Sequence, residues 1–237
     1  MGAFLRFLAF FVLLVGVFVL FVLPFLLSPL LTQLVRDQGL RAGTLDVSVA
    51  ALDPTLLLGR SRLVRLVATD VDASPARIGR MDIAVGDASY FDRSFQTVEG
   101  ELTDIEVTAR GDTASIATIR VNGPAERATA VATLTSTQTE ELVRLAAQRV
   151  GVTVDSVIVS ERGVLVSVAG VEAEARLTVQ GGALLLDPGI GVAVVLLQPA
   201  PSDPWTIEEA WISAEGLNVR GTVDMSQLAS SLTGAGA

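Results

Sequence analysis

Residues 7–27 read FLAFFVLLVGVFVLFVLPFLL, 21 positions in a row without a charged side chain. A helix of that length rises roughly 31 Å, about the thickness of a bilayer's hydrocarbon core. The run predicts a transmembrane helix, so whatever the rest of the chain folds into is held at a membrane. A cleaved secretory signal has a shorter apolar core and then a small-residue cleavage site. Ser28-Pro29-Leu30-Leu31-Thr32 contains no A-x-A pattern, which favours an uncleaved signal anchor at 7–27 behind a short tail at 1–6. Arg6 stands on one side of the run and Arg36 and Arg41 on the other, so the positive-inside rule decides little. A short leading tail before a large domain favours a single-pass cell-membrane protein with its C-terminal domain on the extracytoplasmic side.

Beyond the anchor, Ser28 followed by Pro29 is a cap and first-turn signal. It predicts a second helical piece over Pro29–Gln38 that ends at Gly39, within a juxtamembrane helix and linker at 28–43. Leu30, Leu31, Leu34 and Val35 form its apolar stripe, which either lies on the membrane surface or docks on the following domain.

Composition narrows the chemistry. All 17 basic residues are Arg, and the chain has no Lys, His or Cys. That removes imidazole general bases, thiol nucleophiles, Schiff bases, the P-loop lysine and any zinc site built on Cys or His. With no Cys, disulfides say nothing about redox compartment. The formal charge of −9 argues against nucleic acid, whose phosphates require clustered cations. No cofactor and no metal site is expected.

From Thr44 the pattern changes to a period of two: Leu45, Val47 and Val49, then Met81, Ile83 and Val85, then Ile105, Val107 and Ala109 alternate with more polar neighbours. Turn chemistry recurs between such segments, at Asp53-Pro54, Ser74-Pro75, Gly111-Asp112, Asn122-Gly123-Pro124, Gly181-Gly182 and Asp187-Pro188-Gly189. One segment breaks the pattern. Thr137 with Glu140 three residues later reads as a capping box, and Gly151 as a C-cap. They predict a helix over 137–150 with Leu142, Leu145, Ala146 and Val150 facing a sheet. A shorter helix is predicted over Met225–Leu232, before a frayed tail at 233–237. The expected fold is α+β and β-rich: a transmembrane helix, then at 44–232 a curved antiparallel sheet of about a dozen strands packed on one main helix and enclosing an apolar groove. Val159–Val166 and Ile212–Val219 read alike, each as strand, Gly-closed turn and strand, which suits an architecture of repeated hairpins.

Ala183–Leu197, ALLLDPGIGVAVVLL, is apolar on both faces around its Asp-Pro-Gly turn. An antiparallel strand pair with one wet face would alternate. Either this is a central pair covered on both sides, or one face lines an apolar groove for an acyl chain. In the second case Leu142, Leu145, Leu184, Leu186, Ile190, Val192, Val194 and Leu196 are the lining candidates. Arg60, Arg62 and Arg65, with Arg77 and Arg80 beyond, make the densest basic run. They are candidates for lipid phosphates, or else charges on a solvated sheet edge. Of the carboxylate pairs Glu208/Glu209, Glu99/Glu101 and Glu172/Glu174, the latter two suit the outward face of a strand and none is expected to be catalytic, and Ser156, Ser160 and Ser167 have no possible His partner. Trp205 and Trp211 are either a core pair or an interfacial anchor.

Several of these features together resemble the LmeA-like phospholipid-binding family of actinobacterial and related envelopes. They are the leading apolar segment with a helix ending at Gly39, then Leu45-Asp-Val-Ser-Val49, and Asp53-Pro54 leading to Leu58-Gly59-Arg60. Further on come Ala132-Thr-Leu-Thr-Ser136 running to Leu142, the hairpin at Gly163, and Leu184-Leu-Leu-Asp-Pro188. The resemblance implies a non-enzymatic, envelope-facing domain that holds phospholipid in an apolar cavity and assists envelope lipid or glycolipid assembly. The chain departs from it in keeping an anchor where a removable signal is expected, which favours work close to the membrane. The expected partners are the bilayer and phospholipid. The alternatives are a scaffold module that binds envelope proteins without lipid, and a hydrolase working with carboxylates alone.

Overall fold

The computed structural model describes residues 42–50, 55, 58–73, 76–89, 92, 94–109, 112–161, 163–189 and 193–227. The expected span at 7–27, the 29–38 stripe, Ile190, Val192 and most of the predicted C-terminal helix lie outside these residues; that helix begins at Met225 and is described to Gln227. Among the described residues no helix is long and apolar enough to cross a membrane.

The domain is α+β and β-rich, and all its strand pairs are antiparallel. In place of the single expected sheet there are two. The main sheet begins as a meander of β1 (Thr44–Val49), β2 (Arg60–Ala73), β3 (Ala76–Ser89), β4 (Thr97–Ala109), β5 (Asp112–Pro124) and β6 (Ala128–Leu134). The chain then leaves for the helix α1 (Ser136–Arg149) and a smaller sheet of β7 (Ser156–Ser160), β8 (Gly163–Val168), β9 (Val171–Gln180), β10 (Ala183–Asp187) and β11 (Val194–Leu197). It returns with the hairpin β12 (Trp205–Ser213) and β13 (Gly216–Val223), completing the order β1-β2-β3-β4-β5-β6-β13-β12. The two segments that read alike in the sequence are the β7–β8 and β12–β13 hairpins.

Register sorts the main sheet into two unlike faces. On one, cross-strand neighbours form apolar rows: Val49–Val64–Val85–Val98, Val47–Leu66–Ile83, and Leu45–Ala68–Met81–Leu102–Ile119–Ala132–Val219. On the other run a threonine ladder, Thr69–Arg80–Thr103–Thr118–Thr133–Asn218, and a charged row containing Asp82, Glu101 and Arg120. Pairs such as Thr133 Oγ1 donating to Asn218 Oδ1 (2.9 Å) and Arg120 Nε to Glu101 (2.9 Å) satisfy the polar face.

Strict alternation does not run the whole length of these strands. Asp70, Asp87 and Asp104 have positive φ (52°, 50° and 55°), a backbone region that Asp tolerates better than most residues. Asp70 and Asp104 lie across from Gly79, and neither pair belongs to the regular ladder. A Cβ on Gly79 would stand 2.8 Å from the Asp104 Cβ, so a side chain there would force the strands apart. Past this line the inward side slips by one residue: Ala68 and then Val71 are buried, with Asp70 between them exposed.

The helix starts two residues earlier than the Thr137 cap predicts. Thr135 is the N-cap: its hydroxyl accepts from Gln138 N, and the Gln138 side chain accepts from Thr135 N (2.9 Å). The sequence T-S-T-Q-T-E holds two overlapping capping boxes, and the first lies directly against the end of β6. The buried face is rotated accordingly to Thr139, Val143, Ala146 and Ala147. Leu142 and Leu145 are half-buried and Val150 is 59% exposed. This helix and the smaller sheet pack over the β5–β6–β13–β12 end of the main sheet's apolar face. There Val143, Ala146, Val164, Val166, Leu184, Leu186, Leu196, Leu217 and Ile207 form the largest core.

Candidate functional site

The second layer is much narrower than the sheet it covers. Its core draws the main-sheet residues Ile116, Leu134, Ile207, Ala210, Ile212, Leu217 and Val219, all from β5, β6, β12 and β13. The apolar rows nevertheless continue over β4, β3, β2 and β1. On that part Val64, Leu66, Ile78, Ile83, Val85 and Leu102 are half-buried. Beside them Leu45, Val47, Ala68, Val71 and Met81 form a separate buried cluster. The candidate site is this surplus face. Its inner rows carry no charge, and from Val64 to Val71 it extends about 23 Å along β2, at about 3.3 Å per residue.

Each end of this stretch is polar. At the end where β2 begins and β3 finishes, Arg60, Ser61, Arg62, Asp87, Asp92 and Gln96 line a cleft of about 270 Å³. Ser61 is buried there and its hydroxyl donates to the Leu63 carbonyl (3.0 Å). At the β2–β3 turn, Asp70, Asp72, Arg77, Asp104 and Glu106 line a second cleft, of about 390 Å³.

The basic residues that the sequence grouped together separate. Arg60 and Arg62 share the first cleft. Arg65 stands on the outer, polar face, where it donates to both oxygens of Asp82 (Nε to Oδ1 2.8 Å, Nη2 to Oδ2 2.7 Å). That forked hydrogen bond holds the Asp82 carboxyl below its ordinary range, against a smaller opposing effect of partial burial, and raises the Arg65 guanidinium. Arg77 lines the second cleft, and Arg80 lies in the threonine ladder.

Among the groove candidates, Leu184, Leu186 and Leu196 are at most 4% exposed. They belong to the large core, with Leu142 and Val194 packed at its margin. Leu145 is half-buried on α1. The Ala183–Leu197 strands are thus covered inside by the helix and main sheet. Their outward side chains Val195 and Leu197 are 42% and 37% exposed. Sequence reasoning placed the apolar groove here because this run is the most hydrophobic of the domain. The surplus face on β2–β4 is assembled from one or two apolar residues per short stretch, and only the register brings them into rows.

The remaining candidates are outward strand residues. Glu99, Glu101, Glu172 and Glu174 are exposed, Glu101 is bonded to Arg120, and Glu209 is paired with Arg220. Trp205 packs on the large core, whereas Trp211 is 36% exposed beneath the Arg220 guanidinium, 6.0 Å from the ring centre. Among the described residues no group of acidic side chains is arranged to hold a metal ion.

Comparison with known proteins finds no matching family model, no matching curated protein and no matching solved structure.

Proposed function

We propose that this chain is a membrane-anchored, non-enzymatic lipid-binding protein of the cell envelope. In this reading the half-buried apolar face of β2–β4 receives phospholipid acyl chains, and the domain assists envelope lipid or glycolipid assembly. One observation carries the proposal: the main sheet presents uninterrupted apolar rows over more strands than its helix and second sheet cover. A soluble domain gains nothing from apolar surface that no partner removes from water; at about 25 cal/mol per Å² the gain comes only on burial. The acyl chain would lie on the half-buried rows of Val64, Leu66, Ile83 and Val85, beside the already buried Ala68, Val71 and Met81.

Three further features support this reading. The uncharged run at 7–27 keeps such a face beside its source of lipid. Left-handed positions in three neighbouring strands, Asp70, Asp87 and Asp104, are the kind of local break that bends a sheet, and a bent sheet wraps a chain better than a flat one. Arg60 and Arg62 stand at one end of the apolar rows, where an anionic headgroup would meet them. The absence of Lys, His and Cys leaves little for a catalytic role to be built from.

The test is photocrosslinking of the full chain in vesicles with a phospholipid that carries a diazirine at mid-acyl chain, followed by peptide mapping. The proposal predicts adducts on β2–β4 peptides, lost in Leu66→Glu/Ile83→Glu while adducts on the 7–27 run persist. Adducts confined to the 7–27 run in the unsubstituted chain would refute lipid binding by the domain and favour a scaffold without a lipid ligand.

A further inference from the structure

Along β2 and β3, arginine and aspartate meet in two different ways. Midway, Arg65 and Asp82 neutralise each other through the forked hydrogen bond on the outer face. Where β2 begins and β3 finishes, Arg60, Arg62, Asp87 and Asp92 line one cleft of about 270 Å³. That is two charges of each sign, yet no ion pair joins any two of the four. Arg62 stands across from Asp87, outside the regular ladder, and Asp87 has left-handed backbone (φ 50°). On the rim, Ser89 Oγ donates to Asp92 Oδ2 (2.9 Å), and Ser89 and Ser94 exchange backbone hydrogen bonds (2.8 and 3.2 Å) that hold this edge of the cleft in place.

The cleft lies where the apolar rows stop. Arg62 and Asp87 are each two residues, about 7 Å, from the half-buried pair Val64 and Val85.

We propose that this cleft selects a phosphoethanolamine headgroup, an inference that rests on acyl chains lying on the adjoining rows. The phosphate is the anionic part that Arg60 and Arg62 meet, and the ammonium goes to Asp87 and Asp92. The balance of charge decides among headgroups. A headgroup with negative charge alone, such as phosphoglycerol, meets two carboxylates in the same small space as the guanidiniums, whereas a zwitterion sets one charge against each pair. A primary ammonium also has three N–H donors to give to carboxylates. Choline has none and is recognised through aromatic faces, and no aromatic side chain is among the described residues that line the cleft. A free phosphoethanolamine ester offers the same chemistry; the neighbouring apolar rows are what favour the lipid.

The test incubates the full chain in dodecyl maltoside micelles with an equimolar mixture of phosphatidylethanolamine, phosphatidylcholine and phosphatidylglycerol bearing identical acyl chains, and reads retained lipid by native mass spectrometry. Phosphatidylethanolamine should lead phosphatidylcholine by about tenfold, the difference expected when a charge-assisted hydrogen bond goes unmade. Asp87→Asn/Asp92→Asn should abolish that lead and put phosphatidylglycerol ahead, with total retained lipid unchanged as the sign of an intact domain; Asn tolerates left-handed backbone as Asp does. Asp104→Asn, in the other cleft, should leave the ratios as they were. Equal retention of the three lipids, or a preference indifferent to the double substitution, overturns the headgroup assignment while acyl binding on β2–β4 stands. Calorimetric titration with glycerophosphoethanolamine and glycerophosphocholine separates the two sources. Binding of the first ester alone, with no phospholipid retained, supports a cleft that reads the zwitterion and refutes acyl binding. If neither ester binds and no phospholipid is retained, both fall.

Discussion

Leu184→Ala separates a packed core from an open groove at the most hydrophobic strand of the domain. Leu184 is fully buried, paired in register with Val179 and Leu197, in the core shared by α1, the smaller sheet and β12–β13. The substitution removes three carbons, about 2.4 kcal/mol of transfer free energy at ~0.8 per methylene, and leaves a cavity whose walls relax only in part. The expected loss is about 3–4 kcal/mol, a more than hundredfold rise in the unfolded population. Val195→Ala on the neighbouring strand, 42% exposed, should cost well under about 1 kcal/mol. Urea titration of the full chain in micelles, followed by tryptophan fluorescence, measures both, because Trp205 packs against this core. Lipid uptake per folded molecule should stay unchanged. A Leu184→Ala loss below about 1 kcal/mol with reduced lipid uptake would mean that the strand lines a groove, and the core assignment would be refuted.

Other consequences concern the cap, a close strand approach and pH. Thr135→Ala should cost about 1 kcal/mol by removing the capping box, while Thr137→Ala, exposed inside the first turn, should cost only a few tenths; their urea midpoints decide which box is used. A Cβ on Gly221 would collide with the Thr206 backbone carbonyl across the β12–β13 ladder, so Gly221→Ala should lower stability by about 1–3 kcal/mol or more. Gly181→Ala meets no neighbouring atom and bears only the left-handed backbone penalty, roughly 1 kcal/mol. The Asp82 carboxyl titrates lower in the folded chain than its unfolded value of about 3.9. Its contribution is therefore present above that value and lost as pH falls through the lower folded value. Asp82→Asn should flatten the stability profile below about pH 4 and leave its shape near neutrality unchanged. A profile as steep as that of the unsubstituted chain would place the acid sensitivity elsewhere.

Much of the fold can be read from residue types, because hairpins are local. Alternation at Leu45–Val49, Met81–Val85 and Ile105–Ala109 marks real strands, and the resemblance of Val159–Val166 to Ile212–Val219 reflects two real hairpins. The division into two sheets depends on long-range pairing of β13 with β6, which no local pattern encodes. The slip in alternation at Asp70 and Asp104 arises from left-handed backbone opposite Gly79 rather than from hydrophobicity, so a period-two reading passes over it. The helix was recognisable while its face was not: Thr135 and Thr137 head overlapping capping boxes, and two apolar stripes share Ala146. The same limit moved the candidate site. Hydrophobic density pointed to Ala183–Leu197, a core that covers itself, while the surplus face needs the cross-strand register of Val64 with Val85 and Leu66 with Ile83.

If the apolar surface on β2–β4 is filled by lipid, as proposed, phospholipid should travel with the purified chain. Native mass spectrometry of the full chain, released from micelles after extensive detergent washing, tests it most directly. Phospholipid should be retained at a defined stoichiometry by the unsubstituted chain and lost in Leu66→Glu/Ile83→Glu, with retention unaffected by Val195→Glu on the exposed edge. A lipid-free spectrum for the unsubstituted chain, or equal retention by all three proteins, would contradict it.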